Sequence, residues 1–325
     1  YHHGILPVVA FAIGWLIAEG SSDKQIRDGI LALAAGFGTY ATLNMLVNIG
    51  NNRYRLIDFW TGTYRAATGS GALNTLPISV TPYAVKFEKR LPVKIMFLAL
   101  FFATIQYMFM VGTRTQFAIL MLIVILAALQ FAYSEHGIAG ILKCLGIMVV
   151  ISLIAFLFYH FNVLSIRDYI LSTNLAARYE RRASLENSDS FRFQSFWIGL
   201  RELIQYPMGG RASQIYRHNM WLDVGRVSGI IPFCLLLIYS IKNFANVTVI
   251  WKNPKILPSL RYLLLFLYIG AYVNCFVEPI WEGALNFFLT LCVVDGMVSA
   301  MMRRLENDPN SEESVPDASN LHADL

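Results

Sequence analysis

Arginine is concentrated in one polar stretch of the sequence, residues 161–218. Eight arginines and five acidic residues occur there, for a net charge of +3 (eight minus five), and the stretch contains no lysine. A guanidinium group is a planar fork of N–H donors that matches phosphate oxygens in a bidentate manner, which an ammonium group cannot do. The preference for arginine therefore indicates that the stretch binds phosphate or diphosphate groups, with Arg211 and Arg217 among the candidates.

A histidine closes this stretch, at the start of the next apolar run. Gly209 and Gly210 allow a tight turn close to a ligand, and Asn219 is a suitable N-cap for a helix that begins after it. His218 would then lie at a helix N-terminus, a location that favours anions. Because imidazole titrates near neutral pH, we predict His218 as a general base. The alternative is a bystander beside the cap or a further diphosphate contact.

Three more charged residues lie where apolar runs meet. Arg114 stands in a very tight turn, Val111-Gly-Thr-Arg-Thr115, and is either a fixed charge at the rim of a cavity or an arginine that reaches to lipid headgroups. Glu278 and Glu282 flank a short turn and are candidate site residues; the alternative is a pair of solvated interfacial acids. The sequence contains no Asp-x-Asp pair, so no divalent metal site is predicted.

The last candidate, Arg192, must be positioned by an amphipathic helix. Apolar residues recur with helical spacing across residues 190–206, with Ser188 or Asp189 available as N-cap and Pro207 after the end. Arg192 shares a face with Ser195, Gly199 and Glu202. One interpretation turns this face toward a substrate. The other is a helix lying on the membrane with its arginines toward lipid headgroups.

The composition indicates that these residues are carried by membrane-spanning helices. Of the 325 residues, 56% are apolar and only 14% are charged, against roughly 25% charged in a soluble domain. Several uncharged runs, such as 115–133, approach the roughly 20 residues that cross a bilayer as a helix. All four cysteines fall in apolar runs, so neither a disulfide framework nor a cysteine-based zinc site is expected.

Hydropathy predicts about nine spans in an all-α polytopic fold. They lie near 5–18, 29–48, 72–85, 92–111, 115–133, 138–160, 222–241, 259–277 and 284–302. The third is the weakest, because it is short and contains Pro77 and Pro82. The chain begins at Tyr1 without methionine and its first apolar run is short, which leaves an N-terminal truncation open.

The lysines indicate the orientation. With nine spans, all eight lysines fall on the same side as the C-terminus, which the positive-inside rule makes cytoplasmic. The arginine-rich loop is then extracytoplasmic. The predicted organisation is an N-terminal bundle at 1–160, an arginine-rich loop at 161–221, C-terminal spans at 222–302 and a disordered cytoplasmic tail at 303–325.

The order of these motifs resembles the O-antigen ligase and O-antigen polymerase superfamily of bacterial inner-membrane glycosyltransferases. The resemblance is strongest over residues 185–235 and extends more loosely over residues 60–300. The motifs are Thr113-Arg114 between two spans, Ser190-Phe-Arg192 leading into Trp197 and Gly199, Pro207-x-Gly-Gly, and His218-Asn219 followed by Gly225 and Gly229.

The resemblance implies a membrane fold of the C class of glycosyltransferases (GT-C-like) in the bacterial inner membrane, with the long loop in the periplasm. It implies a polyprenyl (undecaprenyl) diphosphate-linked glycan as donor, surrounding membrane lipids, no metal, no cofactor and no nucleic-acid partner. Arg114 and Arg192 correspond to the diphosphate-binding arginines of the family, and His218 to its functional histidine. The acceptor is lipid A-core for a ligase and a lipid-linked repeat unit for a polymerase, and both remain open.

Other functions are compatible with the same composition. A protein O-oligosaccharyltransferase has a similar architecture. A transporter or flippase for a lipid-linked or anionic substrate would place charges deep in several spans, whereas charges within the predicted spans are few here, Asp295 being the clearest. A structural scaffold would leave the arginine excess without a role.

Overall fold

Helices make up most of the part of the chain that the computed structural model describes, residues 2–49, 55–184 and 188–307. The helices are α1 (His2–Glu19), α2 (Asp23–Val47), α3 (Ala67–Phe87), α4 (Leu91–Val111), α5 (Arg114–His160), α6 (Ile166–Ser172), α7 (Asn174–Ser184), α8 (Ser188–Gln205), α9 (Met220–Ser228), α10 (Ile230–Lys252), α11 (Pro258–Val277), α12 (Ile280–Gly283) and α13 (Leu285–Glu306). An antiparallel hairpin of β1 (Arg55–Ile57) and β2 (Tyr64–Ala66) connects α2 to α3. A 3-10 turn at Val163–Ser165 follows α5.

Six of the described helices are long and apolar enough to cross a membrane: α2, α4, α5, α10, α11 and α13. The chain is therefore a multi-pass membrane protein built mainly of helices. Helix α1, at the first predicted span, is apolar but shorter, and α3 occupies the third. The count of nine spans stays a prediction.

Helix α5 has 47 residues and covers two of the predicted spans. At about 1.5 Å per residue it is roughly 70 Å long, about twice the thickness of the hydrocarbon layer. Its helical geometry is interrupted at Gly137, where φ is 59° and ψ is −144°. The interruption divides α5 into segments at 114–136 and 138–160, which match the boundaries predicted from hydropathy.

The helix with the weakest hydropathy signal, α3, is the most enclosed part of the bundle. It contacts α2, α4, α5 and α11 and is buried along most of its length. Within it, the Thr81 hydroxyl donates to the carbonyl of Pro77 at 2.8 Å, and Asn274 of α11 donates to the Thr75 hydroxyl at 3.0 Å. Because α3 is surrounded by protein rather than lipid, it tolerates prolines and polar side chains.

The predicted lysine-rich connections meet at one end of the bundle. The backbone N–H of Leu257 donates to Asp23 at 3.1 Å, and Arg304 donates to the carbonyl of Ser21 at 2.6 Å. Arg90, between α3 and α4, pairs with Asp28 of α2. The turns α1–α2, α3–α4 and α10–α11 and the end of α13 therefore lie together.

One span predicted from hydropathy has the wrong boundaries. The span placed at 222–241 is interrupted at Gly229, whose φ of 97° ends α9, and the membrane-length helix runs from Ile230 to Lys252. In the predicted loop at 161–221, where one amphipathic helix was expected, the described residues form α6, α7 and α8. Of the predicted disordered tail, residues 308–325 lie outside the described residues.

Candidate functional site

Helix α8 confirms the predicted amphipathic helix and turns its polar face into the protein. Ser195 and Glu202 are 1% and 8% exposed, whereas Phe193 and Trp197 on the apolar face are 67% and 55% exposed. A surface helix with its polar face toward lipid headgroups would show the reverse. The exposed face carries Phe193, Trp197 and Arg201, and the buried polar residues become part of the site.

The segment that follows α8 folds back along α9. A Cβ atom at Gly199 would contact Leu222 and Arg217, so the glycine allows α8 to approach the residues before and within α9. Beyond α8, the N–H of Gly210 donates to the carbonyl of Val227 at 2.9 Å. The N–H of Ile230 donates to the carbonyl of Pro207 at 2.8 Å. Gly209 adopts a φ of 75°, which glycine takes without steric cost.

Arg226 holds this segment in place. Its Nη1 donates to the carbonyls of Arg211, Ala212 and Gln214 at 2.6, 3.1 and 2.9 Å. Its Nη2 pairs with Glu282 of α12. The Arg226 side chain is 1% exposed. One buried guanidinium group thus joins the segment before His218 to the turn between α11 and α13.

Asp223 is the second buried charge of this group. Its Oδ1 accepts a hydrogen bond from the backbone N–H of Arg217 at 2.6 Å and lies 3.5 Å from Nε of Arg226. The side chain is fully buried in α9, a helix too short to span a membrane. Burial raises the pKa of Asp223 to about 6, with a smaller contribution of the same sign from Glu282.

Arg217 and Arg211 converge on one carboxylate. Arg217 donates to Glu202 through Nε at 3.0 Å and through Nη2 at 2.7 Å, and Nη2 of Arg211 lies 3.6 Å from the same carboxylate. The guanidinium carbon of Arg211 also lies 4.2 Å from the centre of the Tyr206 ring. Together with Arg226, three guanidinium groups face the three carboxyl groups of Glu202, Asp223 and Glu282.

His218 lies between this cluster and the end of α11. It adopts a φ of 55°, and its ring packs edge-on to Tyr216 with centroids 4.7 Å apart. The next residue, Asn219, caps α9 as predicted, since its side chain accepts from the N–H of Leu222 at 3.1 Å. The same side chain donates to the carbonyl of Phe276 at 3.1 Å. His218 is thereby fixed at a helix start, half-buried.

Arg114 and Glu278 lie at a neighbouring junction. Gly112 forms the predicted tight turn with a φ of 72°, and Arg114 is the first residue of α5. The Thr115 hydroxyl donates to the carboxylate of Glu278, which is 4% exposed and so is not a solvated acid. Since Asn219 is bonded to Phe276, two residues before Glu278, the starts of α5 and α9 and the end of α11 meet here.

The structure therefore brings most of the predicted residues to one region. Arg211, Arg217 and Glu282 join one network, His218 follows Arg217, and Arg114 and Glu278 belong to the adjoining junction. The side chain of Arg192 lies outside the described residues, and only its backbone position in the first turns of α8 is given. Glu202, Asp223 and Arg226 were not among the predicted site residues. Arg226 could have been noticed as an arginine three residues after an aspartate in an apolar run.

A large apolar cavity begins beside the ion-pair cluster. It has a volume of about 910 Å³ and lies between α1, α9, α10 and α13. Ala212 and Glu282 line it at the cluster, and Val8, Leu235 and Tyr239 line it along the membrane helices. We call this cavity the lipid groove. Among the described residues, no group of three or more His, Cys, Asp or Glu side chains could hold a metal ion.

Neither a protein-family model nor a curated protein matches the chain.

Proposed function

We propose that the protein is a membrane glycosyltransferase that transfers a glycan from a polyprenyl diphosphate carrier to a glycan acceptor. The observation that carries the proposal is the continuity of the lipid groove with the arginine cluster. Ala212, whose carbonyl is held by Arg226, and Glu282, which pairs with Arg226, both line the groove. A substrate with an apolar chain and an anionic headgroup has complementary surfaces at both places.

The residues supply the two functions that such a transfer requires. An acceptor hydroxyl attacks the anomeric carbon, the bond from that carbon to the diphosphate oxygen breaks, and the carrier leaves as the diphosphate. Arginine guanidinium groups stabilise the charge that develops on the leaving diphosphate. His218 accepts the proton of the attacking hydroxyl. In this proposal Arg114 and Arg192 contact the diphosphate, and Glu278 and Glu282 lie on the acceptor side.

The proposal includes a GT-C-like fold with nine spans in a bacterial inner membrane and the arginine-rich side facing the periplasm. The order of the motifs supports an O-antigen ligase or polymerase. These two differ in the acceptor, which is lipid A-core for the ligase and a lipid-linked repeat unit for the polymerase.

The first experiment compares a strain lacking the protein with its parent. We expect the lipopolysaccharide ladder to change. Bare core together with polymer on the polyprenyl carrier identifies a ligase, and core with a single repeat unit identifies a polymerase. Complementation with His218→Ala or Arg192→Ala should fail although the protein inserts at normal levels. Full complementation by both variants refutes the site, and an unchanged ladder refutes the O-antigen assignment.

One observation favours a transporter of lipid-linked substrates as the second candidate. Asp295 lies in the middle of α13 and is fully buried, and it accepts hydrogen bonds from Tyr268 at 2.5 Å and Tyr239 at 2.7 Å. Tyr239 also lines the lipid groove. Ionisable residues at this depth are common in transport pathways. A purified protein that transfers glycan from a lipid-linked donor in detergent supports the enzyme, because detergent leaves no second compartment for transport.

A further inference from the structure

The pair formed by Arg217 and Glu202 has the geometry of a guanidinium–phosphate contact. Two parallel N–H···O bonds of 3.0 and 2.7 Å join Nε and Nη2 of Arg217 to the two carboxylate oxygens. Phosphate oxygens are bound by arginine in the same bidentate manner. Arg211 approaches the same carboxylate from another side at 3.6 Å. Glu202 therefore occupies the position that an anionic ligand of these two arginines would take.

The arginines keep an opening for such a ligand. The Arg211 side chain is 24% exposed, whereas those of Arg217 and Glu202 are each 10% exposed. Nε of Arg211 is buried and has no hydrogen-bond acceptor among the described residues. The next residue, Ala212, lines the lipid groove. A diphosphate bound beside Arg211 would offer the hydrogen-bond acceptor that its Nε lacks.

We infer that Arg211 and Arg217 form an anion-binding site in which Glu202 is an internal, displaceable occupant, and that a diphosphate replaces it. The identity of the incoming anion as the diphosphate of a lipid-linked donor rests on the proposed function. The exchange keeps the two arginines neutralised before and after binding, so they are never buried as uncompensated cations.

The exchange predicts that removal of the competing charge strengthens anion binding. Glu202→Gln keeps the size of the side chain and its position on α8 but loses the carboxylate. We expect the dissociation constant for inorganic diphosphate, measured by calorimetry on the purified full chain in a neutral detergent, to fall by about tenfold or more. A tenfold change corresponds to about 1.4 kcal/mol. The matched control is Glu180→Gln, which removes the same charge from an exposed position on α7 and should leave the constant unchanged.

Two further variants extend the test, and one of them, Arg217→Lys, keeps it decisive if Glu202→Gln alters folding. Arg217→Lys retains the charge but loses the fork, and should weaken diphosphate binding by about tenfold. In the double variant Glu202→Gln/Arg217→Gln the gain from the first change should disappear. If Glu202→Gln binds no more tightly than the wild type, or if Arg217→Lys binds equally well, the exchange is refuted.

A second ligand distinguishes a lipid-borne diphosphate from free diphosphate as the natural occupant of the site. Geranylgeranyl diphosphate carries the same headgroup and an isoprenoid chain for the lipid groove. If geranylgeranyl diphosphate binds more tightly than inorganic diphosphate, and if a variant with a filled lipid groove, such as Leu235→Trp, loses this gain, the site binds a lipid-borne diphosphate. Equal binding of both ligands assigns it to free diphosphate. A tight, Glu202-sensitive diphosphate site in a protein without transferase activity would refute the proposed function and retain the exchange.

Discussion

Replacement of Arg226 by glutamine should release the segment that carries Arg211, Arg217 and His218. Arg226 donates three hydrogen bonds to backbone carbonyls of this segment, at 2.6, 2.9 and 3.1 Å, and pairs with Glu282. Its side chain is 1% exposed and that of Asp223 is 0% exposed, so solvent does not replace these contacts. Loss of one partner of a buried ion pair costs about 3–5 kcal/mol.

Amide hydrogen exchange measures this loss where it occurs. The N–H groups of Gly210 and Arg211 are bonded to the carbonyls of Val227 and Arg226, so they report on opening of the segment. If Arg226→Gln lowers the free energy of local opening by about 3 kcal/mol, exchange of these amides accelerates by roughly a hundredfold. Amides in the middle of α11 should exchange at the wild-type rate, because α11 does not depend on these bonds.

Arg303→Gln is the matched control. Arg303 contacts Glu19 at 3.4 Å with both side chains more than half exposed, a pairing that contributes at most about 1 kcal/mol. Adding Asp223→Asn to Arg226→Gln should recover part of the loss, because it removes the carboxyl group left without its guanidinium partner. An Arg226→Gln protein whose segment exchanges as slowly as the wild type would refute the role assigned to Arg226.

Three further changes test other parts of the structure. The pKa of Asp223 is about 6 in the folded protein against 3.8 for an unperturbed aspartate, so the folded state binds this proton more tightly than the unfolded state. In melting experiments, the wild type should therefore gain stability relative to Asp223→Asn as the pH falls from about 7 to about 5. A stability difference that stays constant over this pH range would contradict the prediction. Gly209→Ala should destabilise the protein more than Gly210→Ala. Both glycines have a positive φ, but only at Gly209 would a Cβ atom meet the backbone of Val227 and Gly229. Equal melting temperatures of the two variants would exclude the predicted clash. Leu235→Trp should fill part of the lipid groove and reduce glycan transfer from a lipid-linked donor. The control Leu142→Trp, on the exposed surface of α5, should leave this transfer unchanged. Equal activities of the two variants would mean that the groove does not hold the donor.

The sequence predicts those features that depend on neighbouring residues. The tight turn at Gly112, the cap at Asn219 and the amphipathic helix before Pro207 all follow from local geometry and helical spacing, and all are found. The interruption of α5 near residue 137 also matches the boundary between two predicted spans. Candidate residues at the starts of α5 and α9 could therefore be selected before the fold was known.

The sequence does not predict which charges pair or which faces are buried. Arg217 and Glu202 are 15 residues apart, and Arg226 and Glu282 are 56 apart, so neither pair has a spacing signal. Hydropathy ranks α3 as the weakest span because it measures preference for lipid, while α3 is surrounded by other helices. The same measure merges α9 with α10, since the two buried charges of Asp223 and Arg226 are outweighed by the apolar residues around them in the mean hydropathy.

The second segment of α5 has an evolutionary consequence. Between residues 138 and 160 only Gly140 is buried, and every residue from 151 to 160 is exposed. Selection on this segment therefore acts on its overall hydrophobicity and length, and individual apolar residues should interchange freely among orthologues. Gly137 should resist such drift, because a side chain at its φ of 59° and ψ of −144° would be strained. A conserved glycine followed by a run of freely varying apolar residues is the substitution pattern we expect.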